Sequence, residues 1–170
     1  MNLDNLSILR NLMDSSWVYF LIGSCNGLLC LGINLEYRVV FVFNPSTGEF
    51  KKVQCATPPH NLLEGIALYG FGYVQSLDDY KFVEFSYFDE DVCLNILSPR
   101  NNTRKSVPFD PPLTLQHYKQ LSNATTGTPL NGTIHWACHS VIINSCSIVA
   151  LIWRKKSSKH CPIKILYTNN

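Results

Sequence analysis

Short apolar runs separated by turn residues are the main pattern in the first part of the chain. The run at residues 17–22 leads into the stretch GSCNGLLCL at residues 23–31. Asn26 and Gly27 stand between its two apolar halves, and an Asn-Gly pair in this setting is the strongest short-range signal for a β-hairpin. A membrane span is the alternative, but the apolar flanks are shorter than the ~20 residues it needs and the polar break would leave backbone groups unsatisfied in mid-bilayer. The pattern therefore predicts two paired strands.

A second hairpin is predicted at residues 39–53. Its first strand, VVFVF, ends at a turn that contains Asn44, Pro45 and Gly48. Proline fixes φ and glycine readily adopts positive φ, so this composition is typical of a tight turn. The return strand FKKV then completes the hairpin.

This hairpin occurs twice along the chain. Pro99 of a later hairpin corresponds to Pro45, and the flanking strand positions match as well. The first Asn-Gly pair recurs at Asn131 and Gly132, at about twice the same interval. Repeats of about 50 residues, each made of several short strands, match the kelch-type blade of a β-propeller. A β-sandwich is the alternative all-β fold.

Further strands are predicted around Gly70 and Gly72, in YGFGY, and at residues 80–87, which begin with Tyr80. In this second run neither of the two alternating faces is purely polar. A strand of this kind is typical of the middle of a stack, where both faces are covered.

Composition agrees with a single β-rich domain. Of 170 residues, 46% are hydrophobic and 15% are charged. The formal net charge of +2 is misleading, because five of the 14 Lys and Arg residues lie after residue 151, where the chain has no acid. The rest of the chain lacks the row of basic residues that nucleic-acid binding needs, so no nucleic-acid partner is expected.

Reactive-thiol and metal chemistry are not expected. The seven cysteines include no Cys-x-x-Cys pair, which favours reduced, mostly buried thiols. Gly23, Cys25 and Gly27 spell the cysteine form of a nucleophile elbow, but no helical pattern follows, as that motif requires. His135 and His139 share one face of a predicted strand without a second ligand cluster, so a zinc site is not expected.

The remaining polar candidates have structural interpretations. His135 is expected to be a hydrogen-bonded polar residue, and its neighbour Trp136 a core residue. Asp78 and Asp79, like the acids at residues 89–91, lie at predicted turns, where carboxylates accept backbone N–H groups and favour solvent. We therefore expect no catalytic residue and no cofactor.

Four ordered motifs resemble the F-box associated domain of plant F-box proteins, over about residues 18–150. The resemblance implies a partial kelch-like β-propeller built from repeated short antiparallel strands. It also implies a non-catalytic module that binds a target protein, while an upstream F-box docks onto the Skp-type adaptor of a cullin ubiquitin ligase. The motifs lie at residues 22–30, 44–48, 70–73 with 79–83, and 130–136.

The residues that carry the resemblance are expected to be structural rather than ligand-binding. They are turn residues, glycines of close approach and core aromatics. In chain order they are Asn26, Gly27, Asn44, Pro45, Gly48, Gly70, Gly72, Tyr80, Asn131, Gly132, His135 and Trp136.

Two departures from the family pattern shape the expected domain limits. Residues 1–16 are expected to be a polar leader without an F-box, residues 17–150 an incomplete F-box associated domain, and residues 151–170 a basic tail outside the pattern. On this interpretation the chain is truncated, and a Skp-type adaptor binds only if an F-box precedes it. Arg104 also stands where the family often has Trp, which is expected to weaken packing there.

Two alternatives and two further expectations about function remain. A truncated remnant that competes for the target without ligase function is one alternative, and a glycan-binding β-propeller is another. Loops carry function on such scaffolds, so the target is expected to contact residues 58–61, 88–91 and 116–119. The expected location is the cytoplasm, the nucleus or both, without a membrane partner.

Overall fold

The computed structural model describes residues 19–33, 39–54, 68–88, 91–109, 125–140, 145–153 and 163–169. Within these ranges the backbone forms twelve β-strands and one turn of 3₁₀ helix at Gln75–Leu77. The strands are β1 (Tyr19–Cys25), β2 (Leu28–Ile33), β3 (Val39–Phe43), β4 (Phe50–Gln54), β5 (Leu68–Val74), β6 (Asp79–Phe88), β7 (Asp91–Ser98), β8 (Thr103–Phe109), β9 (Thr125–Leu130), β10 (Thr133–Ser140), β11 (Ser145–Trp153) and β12 (Ile163–Asn169).

The strands divide into three units of four. Unit 1 is the sheet β1-β2-β3-β4. The second sheet has the order β12-β11-β10-β9-β5-β6-β7-β8, in which β5 to β8 form unit 2 and β9 to β12 form unit 3. Neighbouring strands within each unit are antiparallel, whereas β5 and β9 pair in parallel and join units 2 and 3. The predicted all-β fold is confirmed.

The repeat found in the sequence has a structural basis. Residues 39–53 and 93–107 fall in the third and fourth strands of units 1 and 2, respectively. The two Asn-Gly pairs connect the first and second strands of units 1 and 3. Each sequence echo therefore marks an equivalent position in a different unit.

The Asn-Gly turns need left-handed backbone at both positions. Asn26 and Gly27 have φ of 49° and 79°, and Asn131 and Gly132 have φ of 50° and 71°. Two consecutive positive φ values define a type I′ turn, whose twist matches that of the flanking strands. The predicted hairpin at residues 23–31 is confirmed, as β1 paired with β2.

The turn between β3 and β4 closes through its own polar groups. The backbone N–H of Gly48 donates to the carbonyl of Asn44 at 2.8 Å, and Gly48 has φ of 75°. The Asn44 side chain accepts from the backbone N–H of Ser46 at 3.0 Å. Pro45 lies exposed in the same turn. The turn predicted from this composition is therefore present.

Unit 2 is the middle layer of the molecule. Phe82 of β6 packs in a buried cluster with Val40 and Val42 of unit 1. Its neighbour Val83 points to the other face and packs with Trp136 of unit 3. Residues 82–85 of β6 are all buried, so the prediction that both faces of this strand are covered is confirmed.

The first strands of the three units meet at glycines in the centre of the molecule. Strand β1 packs against both β5 and β9. A Cβ atom built on Gly23 lies 3.6 Å from the Cβ of Phe71 in β5 and 3.9 Å from the carbonyl oxygen of Gly127 in β9. Because Gly23 and Gly127 have no side chain, the backbones of β1, β5 and β9 approach one another closely.

Trp136 connects unit 3 to unit 2. It is fully buried, and its Nε1 donates to the backbone carbonyl of Tyr69 at 2.7 Å. Its ring meets Phe85 edge to face at 5.5 Å between centroids. The ring also covers Gly70 and Gly127, where any Cβ atom would lie within 3.0 Å of it. One side chain therefore holds two units together through both packing and a hydrogen bond.

Two features differ from the expectations drawn from the sequence. Residues 151–170 were interpreted as a basic tail, whereas residues 151–153 complete β11 and residues 163–169 form β12, which pairs with it. Asp79 is not at a solvent-facing turn, because it is 5% exposed and accepts hydrogen bonds from Lys81 Nζ and Ser98 Oγ. The domain limits proposed from the sequence stay predictions, and residues 1–16 lie outside the described residues.

Candidate functional site

Five of the turns that link neighbouring strands lie at one end of the molecule, which we call the turn face. It comprises residues 26–27, 44–49, 75–78, 99–102 and 131–132. The ends of β1, β5 and β9 line one shared pocket there, so these three central strands run in the same direction. A surface built from turns on a rigid sheet scaffold is the usual place for recognition.

The shared pocket, called here the central pocket, has a volume of about 760 Å³. Unit 1 contributes Cys25 and Asn26, and unit 2 contributes residues 73–76. Unit 3 contributes residues 129–133 and 152–153. This volume falls within the range of roughly 300–1,000 Å³ typical of ligand pockets. Every lining side chain among the described residues is uncharged.

Two leucines are exposed at or beside the central pocket. Leu130, at the end of β9, lines the pocket and is 59% exposed. Leu77, which follows the lining residue Ser76, is 49% exposed. Leu77 lies in a turn and Leu130 is the last residue of β9. Exposed apolar area is characteristic of interaction surfaces when it is contiguous.

A polar cluster lies at the edge of the central pocket. The hydroxyl of Tyr73 donates to Asp78 Oδ1 at 2.6 Å, and Arg100 Nη1 lies 3.2 Å from Asp78 Oδ2. The Tyr73 hydrogen bond, followed by the Arg100 contact, lowers the pKa of Asp78 below its ordinary value. The same hydrogen bond raises the pKa of Tyr73 above its ordinary value. Within unit 2, the cluster thus links the turn between β5 and β6 to the turn between β7 and β8.

Replacing Tyr73 by phenylalanine is expected to raise the pKa of Asp78 toward the ordinary aspartate value, because the largest cause of its depression is removed. A carboxyl group whose pKa is lowered by folding stabilises the fold at pH values above its ordinary pKa. This stabilisation is lost as the pH falls through the folded-state pKa. Carboxyl ¹³C shifts followed by NMR across acidic pH measure the change. An unchanged titration of Asp78 in the variant would contradict the assignment.

A second hollow, of about 380 Å³, lies between units 1 and 2 on the turn face. It is lined by charged as well as apolar residues, among them Glu49 and Arg100. Lys51 Nζ donates to the backbone carbonyl of Arg100 at 2.8 Å. This contact links the β3–β4 hairpin of unit 1 to the β7–β8 turn of unit 2.

The structure separates the motif residues into turn positions and interior positions. Asn26, Asn131 and Gly132 line the central pocket. Gly70, Gly72 and Trp136 are interior, while the ring of Tyr80 stacks on Phe71 at 5.6 Å. Asn44, Pro45 and Gly48 form the β3–β4 turn, and Gly27 completes the β1–β2 turn.

His135 differs from its expected role, and Arg104 lies in a polar network. Nδ1 of His135 is buried and has no hydrogen-bond partner, so this side chain is not the fully satisfied polar residue expected. Arg104 Nη2 donates to Ser106 Oγ at 3.1 Å and to Asn95 Oδ1 at 3.4 Å. A polar network therefore surrounds Arg104, and the weaker packing expected at this position stays a prediction.

The loops expected to bind the target mostly lie outside the described residues, namely 58–61, 89–90 and 116–119. Sequence reasoning missed Ser76, Leu77 and Leu130. A signal was present, since Leu77 is an apolar residue within the polar turn QSLDD. Among the described residues no group of three or more His, Cys, Asp or Glu side chains is placed to bind a metal ion. No helix in the described part of the chain has the length and apolar character to cross a membrane.

Comparison with protein families matches residues 3–152 to the F-box associated beta propeller domain. An F-box/kelch-repeat protein of Arabidopsis thaliana is 28% identical over 124 residues, which is 72% of this chain and 33% of that protein. An F-box protein of the same plant is 32% identical over 68 residues, 39% of this chain and 16% of the relative. The match thus spans about a third of the first relative's length. No solved structure gave a significant match.

Proposed function

We propose that this chain, which belongs to the F-box associated β-propeller domain family, recognises a target protein for a Skp-cullin-F-box type ubiquitin ligase. The family match over residues 3–152 is the observation that carries the proposal. Two Arabidopsis relatives that are named F-box proteins support it. The part that binds the target, on this proposal, is the turn face.

The proposed role is non-catalytic. A recognition module accelerates ubiquitin transfer by holding the target near the charged conjugating enzyme, which raises its effective concentration. Such a role needs a rigid scaffold and an accessible surface. The three packed units provide the scaffold, and the turn face provides a pocket with two exposed leucines beside it. Action in the cytoplasm or nucleus is part of the proposal.

A fusion experiment tests the proposal directly. An F-box segment is joined upstream of the full chain and expressed in plant cells, and protein half-lives are compared with those under a fusion whose F-box is mutated to abolish adaptor binding. The expected result is a protein that binds the purified chain directly and turns over faster only with the intact fusion. If no directly bound protein changes its half-life, the ligase role is wrong. The unfused chain should bind the same protein without speeding its turnover.

Replacing Leu130 by alanine is expected to weaken capture of that target by about tenfold, because the loss of buried leucine area in an interface costs on the order of 1–2 kcal/mol. Fold stability should change little, since the side chain is 59% exposed. Leu21→Ala is the matched control, because Leu21 is 55% exposed in β1, away from the turn face. Unchanged capture with Leu130→Ala would place the interface elsewhere, and equal loss in both variants would mean that the effect is not specific to the turn face.

A further inference from the structure

The lining of the central pocket indicates which part of a target it accepts. We propose that the pocket binds a compact, uncharged turn of the target protein, and that this contact sets target choice. The inference rests on the proposed function and adds the chemistry of the recognised segment.

The absence of charge from the described lining argues for an uncharged ligand. Asn26, Gln75 and Asn131 offer carboxamides, and Ser76 and Thr133 offer hydroxyls. A charged group that entered such a site would lose its hydration without gaining an ion pair, which is costly. Neutral amides and hydroxyls, including the backbone groups of a turn, can instead exchange hydrogen bonds with water for hydrogen bonds with the lining.

Among the residues that the structure describes, the charge nearest to the lining along the chain is already engaged. Asp78 follows the lining residues of unit 2, but its carboxylate accepts from the Tyr73 hydroxyl at 2.6 Å and contacts Arg100 at 3.2 Å. Both carboxylate oxygens therefore have partners. The cluster supports the pocket edge, and the described part of the lining stays uncharged.

The shape of the pocket favours a turn over an extended strand. Recognition of an extended peptide by strand addition requires a free sheet edge. Here the lining comes from the ends of β1, β5 and β9 and from the turns that follow them. A recess among strand ends suits a compact segment that enters tip first, while Leu77 and Leu130 contact apolar residues beside the tip.

The aromatic residues of the pocket favour protein over sugar. Sugars bind most readily where an aromatic ring offers an open face. The Tyr73 ring packs against Tyr80 at 5.1 Å between centroids, and its hydroxyl is bonded to Asp78. Trp153 packs against the core cluster shared by units 2 and 3. The exposed leucines add apolar area that suits protein side chains.

The test uses a phage library of disulfide-looped random heptapeptides, selected on the full chain, with the winning peptide synthesised and its affinity measured by fluorescence anisotropy. Ser76 is then changed to Lys and, separately, to Glu. Ser76 is exposed and lines the pocket. Either substitution should lower the affinity for an uncharged peptide by about tenfold, because binding would strip water from the new charge without giving it a partner. Both a positive and a negative charge are tested because the basic residues 154–156 follow Trp153 directly, and a substitution of one sign alone would not separate their effect from that of the ligand.

The matched controls are Ser46→Lys and Ser46→Glu, at an exposed turn residue of the same face outside the pocket lining. Neither should change affinity. Binding strengthened by one sign at Ser76 would show a charged ligand, and binding unaffected by both would show another site; each result overturns the proposal. Displacement of the peptide by the neutral sugar chitotriose would assign the pocket to glycans and also overturn it.

Failure of this proposal differs from failure of the proposed function. Peptides that bind tightly but elsewhere leave the chain a protein-recognition module with a different surface. A library that yields no specific binder to chain shown to be folded by circular dichroism contradicts both proposals. Uncharged looped peptides that lose affinity with both Ser76 variants, and keep it with both Ser46 variants, support the assignment.

Discussion

Replacement of Trp136 by alanine should lower the free energy of unfolding by about 3–5 kcal/mol, the range for removing a fully buried aromatic side chain. Trp136 is 0% exposed and packs edge to face on Phe85. It also supplies the indole N–H bonded to the carbonyl of Tyr69 in the neighbouring unit. Since domains are stable by only about 5–15 kcal/mol, this loss would leave the contact between units 2 and 3 marginal.

Urea unfolding of the full chain, followed by circular dichroism, measures the effect. Trp136→Phe separates the two contributions, because phenylalanine keeps most of the apolar ring but cannot donate to Tyr69. A cost of about 1–3 kcal/mol is expected for losing a buried hydrogen-bond donor. Trp153→Phe is the control, since Trp153 is only partly buried, and should cost less than Trp136→Phe. Equal costs at the two tryptophans would mean that the bond to Tyr69 contributes little.

The hairpins were predictable from sequence because their signals are local. Asn26 and Gly27 stand next to each other, and left-handed backbone at both positions selects that pair over almost any other. Pro45 and Gly48 are likewise a local signal, because both lie in one turn and each favours a backbone conformation that the turn needs. The repeat then followed from finding the same local signals again, and the structure places them at equivalent positions of different units.

The contacts between units were not predictable, because they join residues far apart in the chain. No local pattern links Trp136 to Tyr69 or Gly127. The same limit applies to Asp79, whose neighbour Asp78 is exposed while Asp79 is buried. Its partner Ser98 lies in β7, so its burial depends on strand register rather than on its own turn.

The candidate site was missed for a related reason. The loops expected to bind the target were chosen by their composition, whereas the central pocket forms where the ends of three distant strands meet. Gathering Asn26 and Asn131 at one place requires the parallel arrangement of the central strands. Only the three-dimensional fold shows that two similar turns line the same pocket.

Replacement of Gly127 by alanine is expected to cost about 3 kcal/mol, at the upper end of the usual range for overpacking a core. The new Cβ atom would lie 2.6 Å from both Ile134 Cγ2 and Trp136 Cε2. Real Cβ atoms do not tolerate such distances, and the Trp136 ring is held in place by its bond to Tyr69. Gly23→Ala is the matched control, because its nearest contact would be an ordinary 3.6 Å, and it should cost less than about 1 kcal/mol.

Combining Gly127→Ala with Trp136→Phe gives the sharper result. The smaller ring removes Nε1, which would lie 2.7 Å from the new Cβ atom, so part of the clash disappears. The double variant should therefore be more stable than the sum of the two single costs predicts, by about 1 kcal/mol, as expected for residues in direct contact. Additive costs in urea unfolding would mean that the alanine is accommodated by backbone movement of β9 instead. In that case the close approach at the centre would not depend on the tryptophan ring.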